Sequence, residues 1–143
     1  MAEMVAVAAD HGGYELKTVL LPELRALGFD VLDLGTNSLE SVDYPDFAEK
    51  VAQAVETGKA RFGLLICGTG IGMSIAANRH RKVRAALCYD VTTARLARQH
   101  NDANVMTLGG RMIGSETAKD CLKTFLSTPF EGGRHARRVA KLS

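Results

Sequence analysis

The sequence predicts a three-layer α/β sandwich in which helices cover both faces of a five-stranded parallel sheet. Short apolar runs, each as long as one buried strand, recur along the 143 residues and alternate with segments that carry apolar residues at helical spacing. Strands separated in this way pair in parallel, because the intervening helix returns the chain to the edge of the sheet where it started. A hydrophobic content of 46% suffices for one core, so we expect a single domain over residues 1–143.

The predicted strands are short, largely apolar stretches bounded by glycine or polar residues. This composition is typical of strands that helices cover on both faces. In chain order they span residues 4–9, 30–34, 62–66, 83–88 and 105–108.

The predicted helices are recognised from apolar residues three and four apart and from the residues at their ends. Pro22 lies inside the first helix, where it should produce a kink, and Gly28 ends that helix. Pro45 suits the first turn of the second helix, and Asp90 or Thr92 can cap the N-terminus of the fourth helix. The helices span residues 14–27, 45–58, 73–78, 91–100 and a last stretch that ends near residue 126.

Composition and charge exclude several classes of protein. A net charge of +2 offers no general attraction to nucleic acid or to an anionic membrane. We find neither an apolar stretch of membrane-spanning length nor a signal peptide, and we expect a cytoplasmic protein. The cysteines Cys67, Cys88 and Cys121 are odd in number and not closely paired, so we expect free thiols and no zinc site.

The most informative stretch is the junction between the third strand and the third helix. The strand leads into Cys67, and the loop after it alternates glycine with Thr69 and Ile71. No lysine follows as in a nucleotide-triphosphate loop, and the last glycine comes one residue early for a dinucleotide fingerprint. Free backbone N–H groups at such a junction suit an anion, either a phosphate or an oxyanion beside a base. A plain buried cysteine in a common glycine turn is the alternative interpretation.

Histidines and the basic tail supply further candidates. His11 adjoins Asp10 after the first strand and His100 precedes Asn101 and Asp102, so both are candidates for proton transfer or for structural hydrogen bonds. His80, in a basic turn, is expected to be solvated.

The C-terminal segment, about residues 129–143, is a basic arm. Arg134 and Arg138 lie four residues apart and would share one helical face, where they could clamp a phosphate. A solvated basic terminus is the simpler interpretation of the same residues.

Together these motifs resemble type B ribose-5-phosphate isomerases over nearly the whole chain and in the same order. The matching motifs are Asp10-His11-Gly-Gly, Asp43-Tyr44-Pro45, Cys67-Gly-Thr69-Gly-Ile-Gly72, Ala-Ala-Asn78, Arg98-Gln-His100-Asn101-Asp102-Ala-Asn104, Gly-Gly-Arg111 and Gly-Gly-Arg134-His-Ala-Arg-Arg138.

The resemblance implies an enzyme that interconverts ribose 5-phosphate and ribulose 5-phosphate in the pentose phosphate pathway, with no metal and no cofactor. Cys67 would move a proton between C1 and C2 through a cis-enediol, and Thr69 would move one between O1 and O2. His100 would open the sugar ring with help from Asp10. Family members that lack this cysteine use a glutamate after the last loop glycine, where this chain has Met73.

The resemblance also implies a binding site and an assembly. The phosphate would be held by four basic side chains, the sugar by a tyrosine and an asparagine, and the enediolate by loop N–H groups. The phosphate ligands would be His11, Arg111, Arg134 and Arg138, and the sugar ligands Tyr44 and Asn101. The N–H groups would be those of Gly68, Gly70, Ile71 and Gly72. The chain would form a homodimer or a dimer of dimers with the active site at the subunit interface.

Two alternatives remain open from the sequence. Isomerases of six-carbon aldose 6-phosphates, such as those of allose or galactose, share much of the loop. A non-catalytic phosphosugar sensor would keep the fold but lose the base or the ring-opening histidine, and this chain carries both Cys67 and His100.

Overall fold

A computed structural model describes residues 2–143 and confirms the predicted α/β sandwich. Five parallel strands form one sheet in the order β2-β1-β3-β5-β4. The elements are β1 (Met4–Ala9), α1 (Tyr14–Ala26), β2 (Asp30–Asp33), α2 (Tyr44–Glu56), β3 (Phe62–Cys67), α3 (Ile71–Ala77), β4 (Ala85–Leu87), α4 (Val91–Asn101), β5 (Val105–Gly109), α5 (Ser115–Ser127) and α6 (Arg134–Ala140).

The core lies in two layers, one on each face of the sheet. Successive side chains of a strand point to opposite faces, so Val5 and Val7 join one layer and Ala6 and Ala8 join the other. The layer with Val5 is completed by α1, α4 and α5, and the opposite layer by α2 and α3. β1, β3 and β5 are almost wholly buried, which explains their continuous apolar sequences.

The predicted bounds agree with the structure to within two residues, and one helix was not predicted. The third helix begins at Ile71 rather than at residue 73, and β4, at the edge of the sheet, covers only three of the six residues predicted for it. The basic arm contains a sixth helix, α6, which was not predicted as an element. Seven residues are too few for a stable isolated helix, so α6 depends on its packing against α4.

Helix ends and chain direction position the site. Asp90 caps α4 through a capping box with Thr93, and α1 continues through Pro22 and ends before Gly28. α4 runs antiparallel to the strands for roughly 16 Å, so His100 at its end lies at the amino edge of the sheet, opposite Cys67. Within residues 2–143, no helix combines the length and the apolar character that crossing a bilayer requires.

Candidate active site

Cys67 ends β3 with its sulfur enclosed by the loop that follows. The side chain is 5% exposed, and Sγ accepts a hydrogen bond from the backbone N–H of Gly70 at 3.1 Å. Gly70 has a φ of +83°, and its carbonyl accepts a hydrogen bond from Thr107 Oγ1 at 2.9 Å. The left-handed glycine therefore aims an N–H at the sulfur, an interaction that a thiolate accepts more strongly than a thiol.

Three loops meet at the carboxyl edge of the sheet, after β1, β3 and β5. The N–H of Gly110 donates to the carbonyl of Cys67 at 2.8 Å. A Cβ on Gly110 would lie 2.6 Å from the carbonyl oxygen of Gly12, so the backbones are in direct contact. This contact sets the polar groups of the first loop beside Cys67, as expected for a ligand site at the carboxyl ends of parallel strands.

The glycine loop offers unpaired donors. The backbone N–H groups of Gly68, Thr69 and Gly72 donate no hydrogen bond to any group in residues 2–143. The guanidinium of Arg111 lies against Gly68, 3.4 Å from the place where a Cβ would stand, and the Arg111 N–H donates to the Gly68 carbonyl at 3.0 Å. The loop is thus suited to hold an anion, with a cation beside it.

An open groove of about 430 Å³ brings many of the predicted residues together. Ile75, exposed on α3, lines the groove and was not among the predicted site residues. The predicted residues that line it are Asp10, Tyr44, Cys67, Gly68, Thr69, Ile71 and Gly72.

Asp10 has one oxygen occupied and one available. Oδ1 accepts from the N–H of Gly12 at 2.9 Å and from the N–H of Gly13 at 3.2 Å, which shapes the loop after β1. Oδ2 accepts no hydrogen bond within residues 2–143. The carboxyl group can therefore accept a proton from a ligand in the groove without disturbing the loop.

His11 is held in a defined tautomer. Its Nδ1 accepts a hydrogen bond from the N–H of Val42 at 3.2 Å, so the neutral ring carries its proton on Nε2. His11 then presents a donor, which suits a phosphate oxygen even when the ring is uncharged.

Thr69 and Tyr44 flank the loop. Thr69 Oγ1 accepts from the Ile71 N–H at 3.1 Å, which leaves its own hydroxyl proton free to donate. The Thr69 carbonyl accepts from the hydroxyl of Tyr89 at 2.9 Å, a support that sequence reasoning missed. The ring of Tyr44 lies over Gly72, only 2.5 Å from the place where a Cβ would stand.

The remaining predicted residues form a second cluster at the amino edge of the sheet. His100 and Asn101 end α4, and α6, which carries Arg134 and Arg138, packs against that end. The Glu131 N–H donates to the Gln99 carbonyl at 3.1 Å and ties the arm to α4. A single chain thus separates the predicted ring-opening histidine and the arginine pair from Cys67.

A buried arginine builds the turn that carries His100. Arg98 is 3% exposed and donates to the Asp102 carboxylate at 2.8 Å, the Ala103 carbonyl at 2.7 Å and the Thr128 carbonyl at 3.1 Å. Sequence reasoning assigned Arg98 no role, although its spacing of four residues from Asp102 is typical of a helical ion pair.

His80 is not a solvated residue, which corrects the prediction from its basic turn. Its Nε2 lies 2.6 Å from Glu49 Oε2 and its Nδ1 lies 3.3 Å from Glu56 Oε1. Burial opposes a charge on the ring, but the hydrogen bonds and charges of the two carboxylates outweigh it, so the pKa of His80 is raised. The histidine joins α2 to the turn after α3, a pairing that only the folded chain creates.

The three cysteines are free thiols, as predicted. Burial, with a smaller contribution from Cys121, raises the pKa of Cys88 to about 12, and burial raises that of Cys121 to about 11. Both thiols remain protonated at neutral pH and belong to the core layer on the α1 face of the sheet. Cys67 is the cysteine that meets the groove.

Within residues 2–143, one group of side chains is close enough to share a metal ion: His100, Glu131 and His135, whose ligand atoms lie within 4.8 Å of one another.

Comparison with known proteins agrees with this architecture. The Ribose/Galactose Isomerase family matches residues 5–142. Ribose-5-phosphate isomerase B of Escherichia coli is 45% identical over 97% of this chain and 93% of its own length. A Rickettsia bellii protein with the broader name of sugar phosphate isomerase is 49% identical over 96% of both chains. The crystal structure of a ribose 5-phosphate isomerase from Thermotoga maritima superposes with a TM-score of 0.96, at 54% identity over 99% of this chain and 98% of that one.

Proposed function

The chain belongs to the ribose/galactose isomerase family, and we propose on that premise that it interconverts ribose 5-phosphate and ribulose 5-phosphate. The observation that carries the proposal is Cys67, which faces the groove with an N–H donor on its sulfur and unpaired N–H groups beside it. This arrangement suits a base that removes a proton next to a carbonyl. The reaction has its place in the pentose phosphate pathway.

The proton transfer is assigned to Cys67 and Thr69. The Cys67 thiolate takes the proton from C2 of the open-chain aldose, a cis-enediol forms, and the thiol returns the proton to C1. Thr69, whose hydroxyl proton is free, moves a second proton, the one on the sugar oxygens, between O1 and O2. The N–H groups of Gly68 and Gly72 stabilise the developing oxyanion, a role worth a few kcal/mol per donor.

Ring opening comes first, because the substrate is mostly cyclic. We assign it to His100, which donates a proton to the ring oxygen, and to Asp10, which accepts the proton of the anomeric hydroxyl as the bond between C1 and the ring oxygen breaks. The free oxygen of Asp10 supports its part.

These assignments require two chains. Asp10 and Cys67 lie at the carboxyl edge of the sheet and His100 at the amino edge, so one chain does not bring them together. We propose a homodimer, or a dimer of dimers, in which His100, Asn101, Arg134 and Arg138 of one chain complete the groove of another.

Substrate binding follows the same division. His11 and Arg111 of the chain that forms the groove would hold the phosphate from one side. Arg134 and Arg138 of the second chain would hold it from the other. Tyr44 and Asn101 would position the sugar. We further propose that residues 1–143 act as one isomerase domain with its basic arm over about residues 129–143, in the cytoplasm.

The test is a competition between sugar phosphates. The purified protein is assayed with ribose 5-phosphate in metal-free buffer, and allose 6-phosphate is added as a competing substrate. We expect five-carbon turnover that persists with a chelator. Preference for allose 6-phosphate would keep the mechanism but change the substrate, and no turnover of either sugar would refute an isomerase and favour a phosphosugar sensor.

A further inference from the structure

His135 of α6 is a buried histidine to which neither the sequence motifs nor the proposed mechanism assigns a role. Its ring is stacked on that of His100, with centroids 4.3 Å apart and planes inclined by 14°. The side chain is 6% exposed, and its Nε2 is buried with no hydrogen-bond partner within residues 2–143. Oε1 of Glu131 lies 3.4 Å from Nε2.

A shared metal ion does not explain the cluster. The lone pair of an imidazole nitrogen lies in the ring plane, so a metal bound to both histidines must lie near both planes. Nearly parallel stacked rings have no such common point at bonding distance. The stack itself is therefore the feature to be explained.

His135 is suited to lie against a proton donor. Burial lowers the pKa of His135, and the charges on His100, Arg134 and Arg138 lower it further. The charge on Glu131 raises this pKa but does not reverse the shift. His135 is therefore neutral near neutral pH. A neutral aromatic face attracts a cationic ring above it, whereas two protonated rings at this distance would repel each other.

We propose that His135 is a positioning residue for sugar ring opening: its buried ring fixes the plane of the His100 imidazole so that this ring delivers its proton to the ring oxygen of the substrate. The inference rests on the proposed isomerase function. In this role His135 acts through His100, and it has no part in the chemistry at Cys67, which lies at the other edge of the sheet.

The test separates ring opening from enolisation. Ribulose 5-phosphate has no free hydroxyl at C5 and stays open-chain, so exchange of its C1 proton with D2O requires Cys67 but no ring opening. Ribose 5-phosphate requires both steps. H135Q removes the aromatic ring at similar volume, H135F keeps a flat ring without nitrogen, and R137A changes an exposed neighbour on α6 as a control.

We expect H135Q to lower kcat with ribose 5-phosphate by about tenfold or more while C1 exchange in ribulose 5-phosphate stays within about twofold. H135F should retain most of the forward rate, and R137A all of it. The inference would be overturned if H135Q lowered the isomerisation rate and the exchange rate equally, or lowered neither. It would also be overturned if H135F were as slow as H135Q. A wild-type protein inactive on both sugars would instead refute the proposed function.

Discussion

The backbone N–H of Gly70 donates a hydrogen bond of 3.1 Å to the sulfur of Cys67, and the same glycine's carbonyl is held by Thr107. The donor comes from a loop whose shape depends on a left-handed residue. The candidate base and the loop beside it are thus one structural unit, and the unit can be tested at either residue.

Replacement of Cys67 by alanine should lower kcat by roughly 10²- to 10⁴-fold, because the groove then has no base at this position. Isomerisation of ribose 5-phosphate measures the loss. C88A is the matched control, since Cys88 is buried in the core and protonated at neutral pH. A C67A variant with wild-type turnover would mean that another group is the base.

Alkylation should distinguish the three thiols. Cys88 and Cys121, with pKa values raised to about 12 and about 11, should resist iodoacetamide in the folded protein near neutral pH. Cys67 should react, and ribose 5-phosphate should protect it. Peptide mass spectrometry locates the label, and substrate that failed to slow labelling would argue against a site at Cys67.

Substitution of Gly70 should damage both stability and catalysis. An alanine at this φ of +83° would place its Cβ 2.6 Å from Leu87 Cδ1 and 2.9 Å from the carbonyl carbon of Leu108. Gly58 has a similar φ of +79° and open space around it, so G58A measures the backbone strain alone, about 1–2 kcal/mol. Urea unfolding and kcat should both be affected more in G70A, and equal effects of the two variants would contradict the packing argument.

A shared site should allow two inactive variants to complement each other. C67A and R138A should each be nearly inactive, because C67A removes the base from every groove and R138A removes a phosphate ligand from every arm that completes a groove. After joint unfolding and refolding of equal amounts, about a quarter of the sites should combine two intact halves. Activity near that level supports a site shared between chains, and a mixture as inactive as its components would indicate that each chain holds its own site.

The His80 contact should make stability depend on pH. Because the pKa of His80 is raised in the folded protein, its contribution is fully present below the unfolded value of 6.5 and is lost as pH rises through the folded value. H80Q should therefore destabilise the protein most on the acid side of neutrality and progressively less above it. Melting curves over this range test the sign, with R81Q in the same turn as control. A constant difference between H80Q and wild type would exclude the protonated contact.

The strands and helices were predictable because each produces a local pattern of residues in the sequence. Continuous apolar runs marked the strands, spacing of three and four marked the helices, and a glycine-rich loop after a cysteine marked the candidate anion cradle. Parallel pairing placed the groups after β1, β3 and β5 at one edge. α6 was missed as an element because a short helix owes its stability to packing, which no local pattern records.

The amino-acid sequence alone determined the sheet, the order of its helices, the family and the set of candidate residues. The tertiary structure decided which of them meet. It set His135 against His100, buried Arg98 beneath the same turn, tied His80 to Glu49 and Glu56, and separated His100 from Cys67 by the length of α4. Most of these relations join residues far apart in the chain, and the burial of Arg98 depends on the chain packed around it, so they follow from the path of the backbone and not from the spacing of residues along the sequence.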